Sequence, residues 1–216
     1  SGNTVLHLFQ SLDYFLLLAA ARGSANLRHP VACTGQNQAY RKSLYQKVGG
    51  FSKIKNHIQG DDSLFLNLCR KWGKAVVVFA DDLQSFVKAR QEKTWISLLN
   101  QRLRWSGDAN IMWRVNVVFY LLMLGFFLLH LTFISLFCIS ILHTYYFTVL
   151  VKFLIIKFIL EFLLYFSGCR QLDQSLQCIK FILWFFIHIP YIVIMGFGSF
   201  LANKLSWRGR ELHLLS

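Results

Sequence analysis

Acidic side chains are scarce in this chain. Its 216 residues hold 10 Asp and Glu against 23 Lys and Arg, a formal charge of +13, which suits nucleic acid, anionic lipid headgroups or phosphorylated substrates as partners. Paired cysteines are missing too. Cys33, Cys69, Cys138, Cys169 and Cys178 form no CxxC, so reduced, space-filling cysteines are expected rather than a disulfide framework. The 7 histidines show no HxxxH or comparable ligand spacing, which predicts no protein-built zinc site and no metal held by this chain. A basic leader is lacking ahead of the apolar residues 14–21, and the amphipathic run Val5, Leu6, Phe9 and Leu12 precedes them. That stretch therefore reads as a buried helix and not as a signal peptide.

What the chain has in excess is apolar surface. Hydrophobic residues make up 55% of it and aromatics 16%, too greasy for an ordinary soluble domain and too patterned for disorder. Residues 1–114 carry 16 Lys and Arg against 7 Asp and Glu, while residues 115–216 carry 7 against 3, so two regions in two solvents are expected. Three apolar runs, near 115–142, 145–166 and 176–202, each approach or exceed the roughly 20 residues that span a bilayer. The second region is thus expected to be a membrane domain of about three helices. Arg102, Arg104 and Arg114 precede the first run and place residues 1–114 in the cytoplasm by the positive-inside rule. Three crossings would leave Lys204, Arg208 and Arg210 outside, against that rule, unless the last run, broken by Pro190, is partly re-entrant. Membrane attachment favours lipids and phosphorylated substrates as partners over nucleic acid.

Residues 1–114 read as mixed α/β. A helix over about 4–21 leads through a loop to extended residues 31–33, which end at Thr34-Gly35. A short helix over 37–48 stops at Gly49-Gly50. Gly60 introduces Asp61-Asp62 and a helix with Leu64, Phe65, Leu68 and Trp72 on one face, closed by Gly73. Residues 75–80 (AVVVFA) form a continuous apolar run, the pattern of a strand buried on both faces. Thr94 can cap a helix through Trp95, Leu98, Leu99 and Leu103.

Two constellations could carry chemistry. Asp61 and Asp62 are adjacent carboxylates at a helix start, where free N–H groups favour negative charge. One can cap the helix while the other faces a site as a general base; by themselves they also read as a plain N-cap pair after a glycine turn. In the segment 101–105 (QRLRW), Gln101, Arg104 and Trp105 stand at i, i+3 and i+4 and share a helix face. Arg can grip a diphosphate bidentately and Trp offers a flat face to a sugar ring. The same residues also suit a basic, aromatic anchor at lipid headgroups. Lys157 and Glu161, an i, i+4 pair within the second apolar run, read either as a polar wall along an acceptor path or as a helix-to-helix tie.

The order 33–42 (CTGQNQAYRK), 48–51 (VGGF), Gly60-Asp61-Asp62 and 101–105 (QRLRW) resembles the second half of family 2 membrane glycosyltransferases of the GT-A type. Cellulose, chitin, hyaluronan and poly-N-acetylglucosamine synthases carry that series. The resemblance covers about residues 5–114, and the tail over 207–210 (WRGR) agrees more loosely. It implies an α/β fold, the acceptor-side half of a GT-A domain over 1–114, followed by transmembrane α-helices. It also implies an inverting transfer from a nucleotide-sugar donor, a UDP-sugar, to a growing polysaccharide or a lipid-linked acceptor. Asp62 matches the family's catalytic base and Asp61 its neighbour. Gln101, Arg104 and Trp105 match the motif that closes over donor diphosphate and acceptor sugar, and Thr34-Gly35 matches a loop beside the acceptor.

The departures matter as well. No counterpart of the family's first Asp or of its metal-binding Asp-x-Asp occurs, so the donor-binding half, with the Mg or Mn ion expected on the donor diphosphate, is expected ahead of Ser1. This piece alone is then expected to be inactive. Asp81-Asp82 lacks the Asp-x-Asp spacing and reads as the polar end of a turn. A Phe-x-Val-Thr gating loop is missing, which disfavours bacterial cellulose synthesis. The resemblance places the protein in a bacterial inner or plasma membrane, its catalytic part cytoplasmic. The rivals are single-sugar transfer to a lipid, of the ceramide or polyprenyl-phosphate kind, and a non-catalytic membrane adaptor.

Overall fold

Thr4 opens the first helix: its hydroxyl accepts from the His7 backbone N–H at 3.4 Å, satisfying one of the free donors of a helix start. The computed structural model describes residues 4–54, 61–107, 109–201, 206–207 and 210–211. Gly60, Lys204, Arg208 and Gly209, which figure in the sequence reading, lie outside them. The helices are α1 (Val5–Asn26), α2 (Lys42–Val48), α3 (Asp61–Trp72), α4 (Trp95–Gly107), α5 (Ala109–Val115), α6 (Val117–Ser140), α7 (Thr144–Gln171) and α8 (Cys178–Leu201).

The punctuation follows the sequence closely. Gly49 stops α2 at φ 86°, a left-handed conformation that glycine adopts without strain. Thr94 caps α4 by accepting from the Ser97 N–H at 3.1 Å. The long apolar run after Arg114 is split at Asn116, whose side chain accepts from Phe119 N–H at 3.2 Å and so starts α6 anew. Pro190 lies within α8, which continues through it as one helix although proline removes a backbone donor. Among the described residues, α6 and the stretch Cys178–Ser199 are long and apolar enough to cross a membrane. α7 is longer still but carries Lys152, Lys157, Glu161 and Arg170.

Two apolar clusters hold these helices. In the larger, Leu6, Phe9, Leu12 and Leu16 form one stripe of α1 and meet Leu98 of α4, Tyr165 of α7 and Phe181, Trp184 and Phe185 of α8. Each such side chain, fully buried, contributes about 1.5–3 kcal/mol. Glycines set the closest approaches: a Cβ on Gly168 of α7 would press on Ala19 and Phe15 of α1 at 3.1–3.2 Å, and one on Gly198 of α8 would run into Leu103 of α4. The smaller cluster joins Val48, Ile54, Leu64, Phe65, Cys69 and Met112. Asn116 Nδ2 donates to Asn67 Oδ1 at 3.2 Å, tying the start of α6 to α3.

The fold is mostly helical, which corrects the expected α/β class. Among the described residues the sole pairing is the two-residue antiparallel contact of Ser206–Trp207 with Arg210–Glu211. Residues 31–33 and 75–80, read as strands, are outside any ladder. An apolar run becomes a strand only when its N–H and C=O groups find partners, and these two segments border a cavity instead. Residues 75, 77 and 79 are half-buried while Val76 and Val78 are 87% and 79% exposed, so the run is not covered on both faces.

Candidate active site

Asp61 and Asp62 begin α3, as their residue types favour, and they diverge in role. Asp61 is exposed, whereas Asp62 turns toward the chain ahead of α2. Its Oδ2 accepts from the Gly35 N–H at 2.8 Å and its Oδ1 from the Ser63 N–H at 2.6 Å. A Cβ on Gly35 would stand 3.4 Å from Asp62 Oδ2, so the missing side chain lets the carboxylate settle over the backbone. Gln38 Nε2 donates to the Asp62 carbonyl at 3.3 Å. Thr34 starts the single turn Gly35–Asn37 by accepting from the Gln36 N–H at 3.3 Å. The Tyr14 hydroxyl donates to Gln36 Oε1 at 3.0 Å and lies 3.0 Å from Thr34 Oγ1; with its proton so committed, Thr34 is the donor between them. Thr34, Gly35 and Asp62, separate in sequence, thus come together.

Beside them lies a cavity of about 1100 Å³, which Thr34 lines while Gly35, Asp61 and Asp62 do not. Tyr14, Thr34, Gln36 and Gln38 line it on one side and residues 74–80 on another. A smaller hollow of about 320 Å³ shares Ser11, Tyr14, Gln36 and Lys88 with it and adds Arg90, Gln101, Arg102 and Trp105. Gln101 and Trp105 therefore reach the same region as Thr34. Arg104 is half-buried and lines neither space. Gln101 Nε2 donates to Glu92 Oε1 at 3.0 Å, and the Glu92 backbone is clasped by Gln10 through bonds of 2.8 and 3.0 Å.

The basic residue beside Trp105 is Arg102, its guanidinium carbon 4.1 Å from the centre of that ring. Arg102 Nη2 also stands 3.0 Å from Asp13 Oδ2 of α1, with side chains only 6% and 5% exposed. Burial pushes the Asp13 carboxyl up to about 6, against the opposing pull of the Arg102 charge and the Trp184 indole. Breaking such a pair by removing one member costs about 3–5 kcal/mol, because the other charge is left stranded. Sequence reasoning missed Asp13, Tyr14 and Arg102. The available signals were an acid inside an apolar helix face and the i, i+3 spacing of Arg102 and Trp105.

Cys33 sits behind the Asp62 loop, its Sγ 3.5 Å from Gln38 Nε2. Burial, then the charges of Asp62 and Asp61, push its thiol up to about 12, so it stays protonated and is no nucleophile. Asp82 accepts from the Gln84 N–H at 3.0 Å and shapes a turn, while Asp81 pairs with Arg22 at 2.8 Å. No convergence of carboxylates suited to a divalent ion occurs beside the cavity among the described residues. Near Gly35, Asp62 is the one carboxylate in place among the described residues, with Asp61 exposed, too few oxygen ligands for Mg or Mn on these side chains.

The model of Glycosyl transferase family 21 matches residues 18–216 of the chain. No curated protein and no solved structure matches it.

Proposed function

The chain belongs to glycosyl transferase family 21, and on that premise we propose that it transfers a single sugar from a nucleotide-sugar donor to the hydroxyl of a membrane lipid of the ceramide class. Family 21 transferases are ceramide-glucosyltransferase-like. The observation that carries the lipid acceptor is where the cavity sits. The helix bearing Gln101 and Trp105 packs through Leu103 on Gly198 of α8, a helix apolar enough to cross a bilayer. A lipid could keep its chains along that bundle and extend its headgroup hydroxyl toward Thr34 and Asp62.

In this reading Asp62 is the general base. It takes the hydroxyl proton as the acceptor oxygen attacks the anomeric carbon and the nucleotide diphosphate departs, inverting that centre. The Gly35 and Ser63 N–H groups fix the carboxylate's orientation and leave lone pairs for the acceptor. Trp105 offers its exposed face to a sugar ring, and Gln101 adds an amide whose position Glu92 sets. Lys88 and Arg90, which line the smaller hollow, supply cations for a diphosphate. Arg102 and Asp13 position α4 against α1 and support Trp105. Arg104, placed in the motif by the resemblance, is assigned no contact to the donor. Lys157 and Glu161 line neither hollow, which supports the helix-to-helix reading of that pair.

The test is product analysis with membranes expressing the full-length enzyme, a labelled UDP-sugar and ceramide. One new glycolipid, resistant to polysaccharide-degrading enzymes, is expected. A glycanase-sensitive polymer would instead restore the polysaccharide acceptor.

A further inference from the structure

The fold gathers three side chains that no spacing in the sequence connects: His130 of α6, Glu161 of α7 and His188 of α8. One potential ligand atom from each lies within 4.8 Å of the other two. Both histidines are buried, at 0% and 5% exposure. His130 Nδ1 is 2.7 Å from the Phe126 carbonyl. A carbonyl only accepts, so Nδ1 carries the proton and Nε2 presents a bare lone pair. That Nε2 has no hydrogen-bond partner, and neither does His188 Nδ1. His188 Nδ1 lies 3.9 Å from Glu161 Oε1. The other carboxylate oxygen, Oε2, accepts from Lys157 Nζ at 2.6 Å.

Two orphaned ring nitrogens in an apolar interior are each destabilising. Protonating His188 to pair with Glu161 would satisfy one of them and leave His130 Nε2 stranded. A cation at the point of convergence satisfies both. We propose that His130 Nε2, Glu161 Oε1 and His188 Nδ1 bind one divalent transition-metal ion, Zn2+ by the chemistry of the set. Two imidazoles and a carboxylate suit Zn2+, whereas Mg2+ and Ca2+ prefer oxygen donors throughout. The surroundings match those of metal ligands elsewhere: the backbone carbonyl fixes the His130 tautomer and Lys157 steadies the far carboxylate oxygen.

Binding requires a modest contraction. With metal–ligand bonds of about 2 Å, tetrahedral neighbours stand about 3.3 Å apart, so side-chain rotations closing at most about 1.5 Å from the present 4.8 Å suffice. The ion would join α6, α7 and α8, one ligand from each, and leave a fourth position for water. Its place is the helix bundle and not the cavity: none of the three ligands lines either hollow. The site stands independently of the acceptor assigned above.

The test uses full-length protein purified in detergent without chelator, then stripped and reloaded. Expected are one equivalent of Zn2+ per chain, a Zn2+-dependent rise in Tm, and strong visible d–d absorption when Co2+ replaces it. His130→Gln and His188→Gln should each weaken Zn2+ binding by at least about 10-fold and abolish the Co2+ band. Wild-type protein that takes up no Zn2+ and gives no Co2+ band overturns the proposal without recourse to a variant. So does a folded His130→Gln/His188→Gln double variant that binds Zn2+ as tightly as wild type, since the metal then resides elsewhere.

Discussion

Asp62 is gripped by backbone donors from two places in the chain, so changing its charge need not disturb its position. Asp62→Asn keeps the size and one acceptor oxygen, and a loss of turnover of about 100-fold to 10,000-fold is expected, with the melting temperature little changed. Near-normal turnover would remove Asp62 from the base role. Cys33 offers a second readout of the same charge. Burial and the Asp62 carboxylate both hold its thiol up near 12, so deleting that carboxylate lowers it and raises the thiolate fraction. Alkylation of Cys33 at mildly alkaline pH, followed by peptide mass spectrometry, should be faster in Asp62→Asn than in wild type. Asp13 and Arg102 make a prediction with a pH sign. The Arg102 charge pulls the Asp13 value down toward about 6; Arg102→Met lets it rise further. Relative to the unfolded chain the raised value makes the folded state hold its proton more tightly, so stability from this group is full at low pH and falls as pH climbs through about 6. Arg102→Met should therefore lower Tm more at pH 7.5 than at pH 5. Equal losses at the two pH values would mean that Asp13 does not titrate there.

At the scale of elements, what packs behind the Gln101–Trp105 face decides where it points. Gly198 lets Leu103 of α4 seat directly on α8. Gly198→Leu should push the two helices apart, with an overpacking cost of about 1–3 kcal/mol. A fall in transfer rate is expected, partly restored by Leu103→Ala; a Gly198→Leu enzyme with full activity would show that this contact does not set the site. The same elements show what the chain alone reveals. Helix ends were legible because caps are local: Thr94 and Gly49 act through atoms within a few residues of themselves. The apolar character of residues 75–80 was legible as well, but a strand is a relation between segments, and no neighbouring segment pairs with this one among the described residues. The buried pairing of Arg102 was not legible for a related reason. Arg102 and Arg104 both lie within the motif, and only Asp13, some 90 residues upstream (102 − 13 = 89), determines which one is drawn inward. Asp62, Thr34 and Gly35 were named from resemblance, and the fold joins Asp62 to Gly35, the neighbour of Thr34, through one hydrogen bond.

Across the whole molecule, apolar surface is distributed as lipid contact requires. Much of α6 faces outward, with Leu121, Leu122 and Leu128 about half exposed or more, at 57%, 60% and 48%. Exposed apolar faces of this kind mark surfaces that contact lipid or protein. The protein is expected to remain in the pellet when membranes are washed with alkaline carbonate and to need detergent for release; appearance in the supernatant would count against α6 as a spanning helix. The bond between Asp13 and Arg102 also bears on descent. Neither side chain can be exchanged alone without abandoning a charge in an apolar interior, so neither position is free to drift. Substitutions at 13 and 102 should then be found jointly in related sequences, as reversed or matched pairs or as two apolar residues. The history of one position would be recorded in the other.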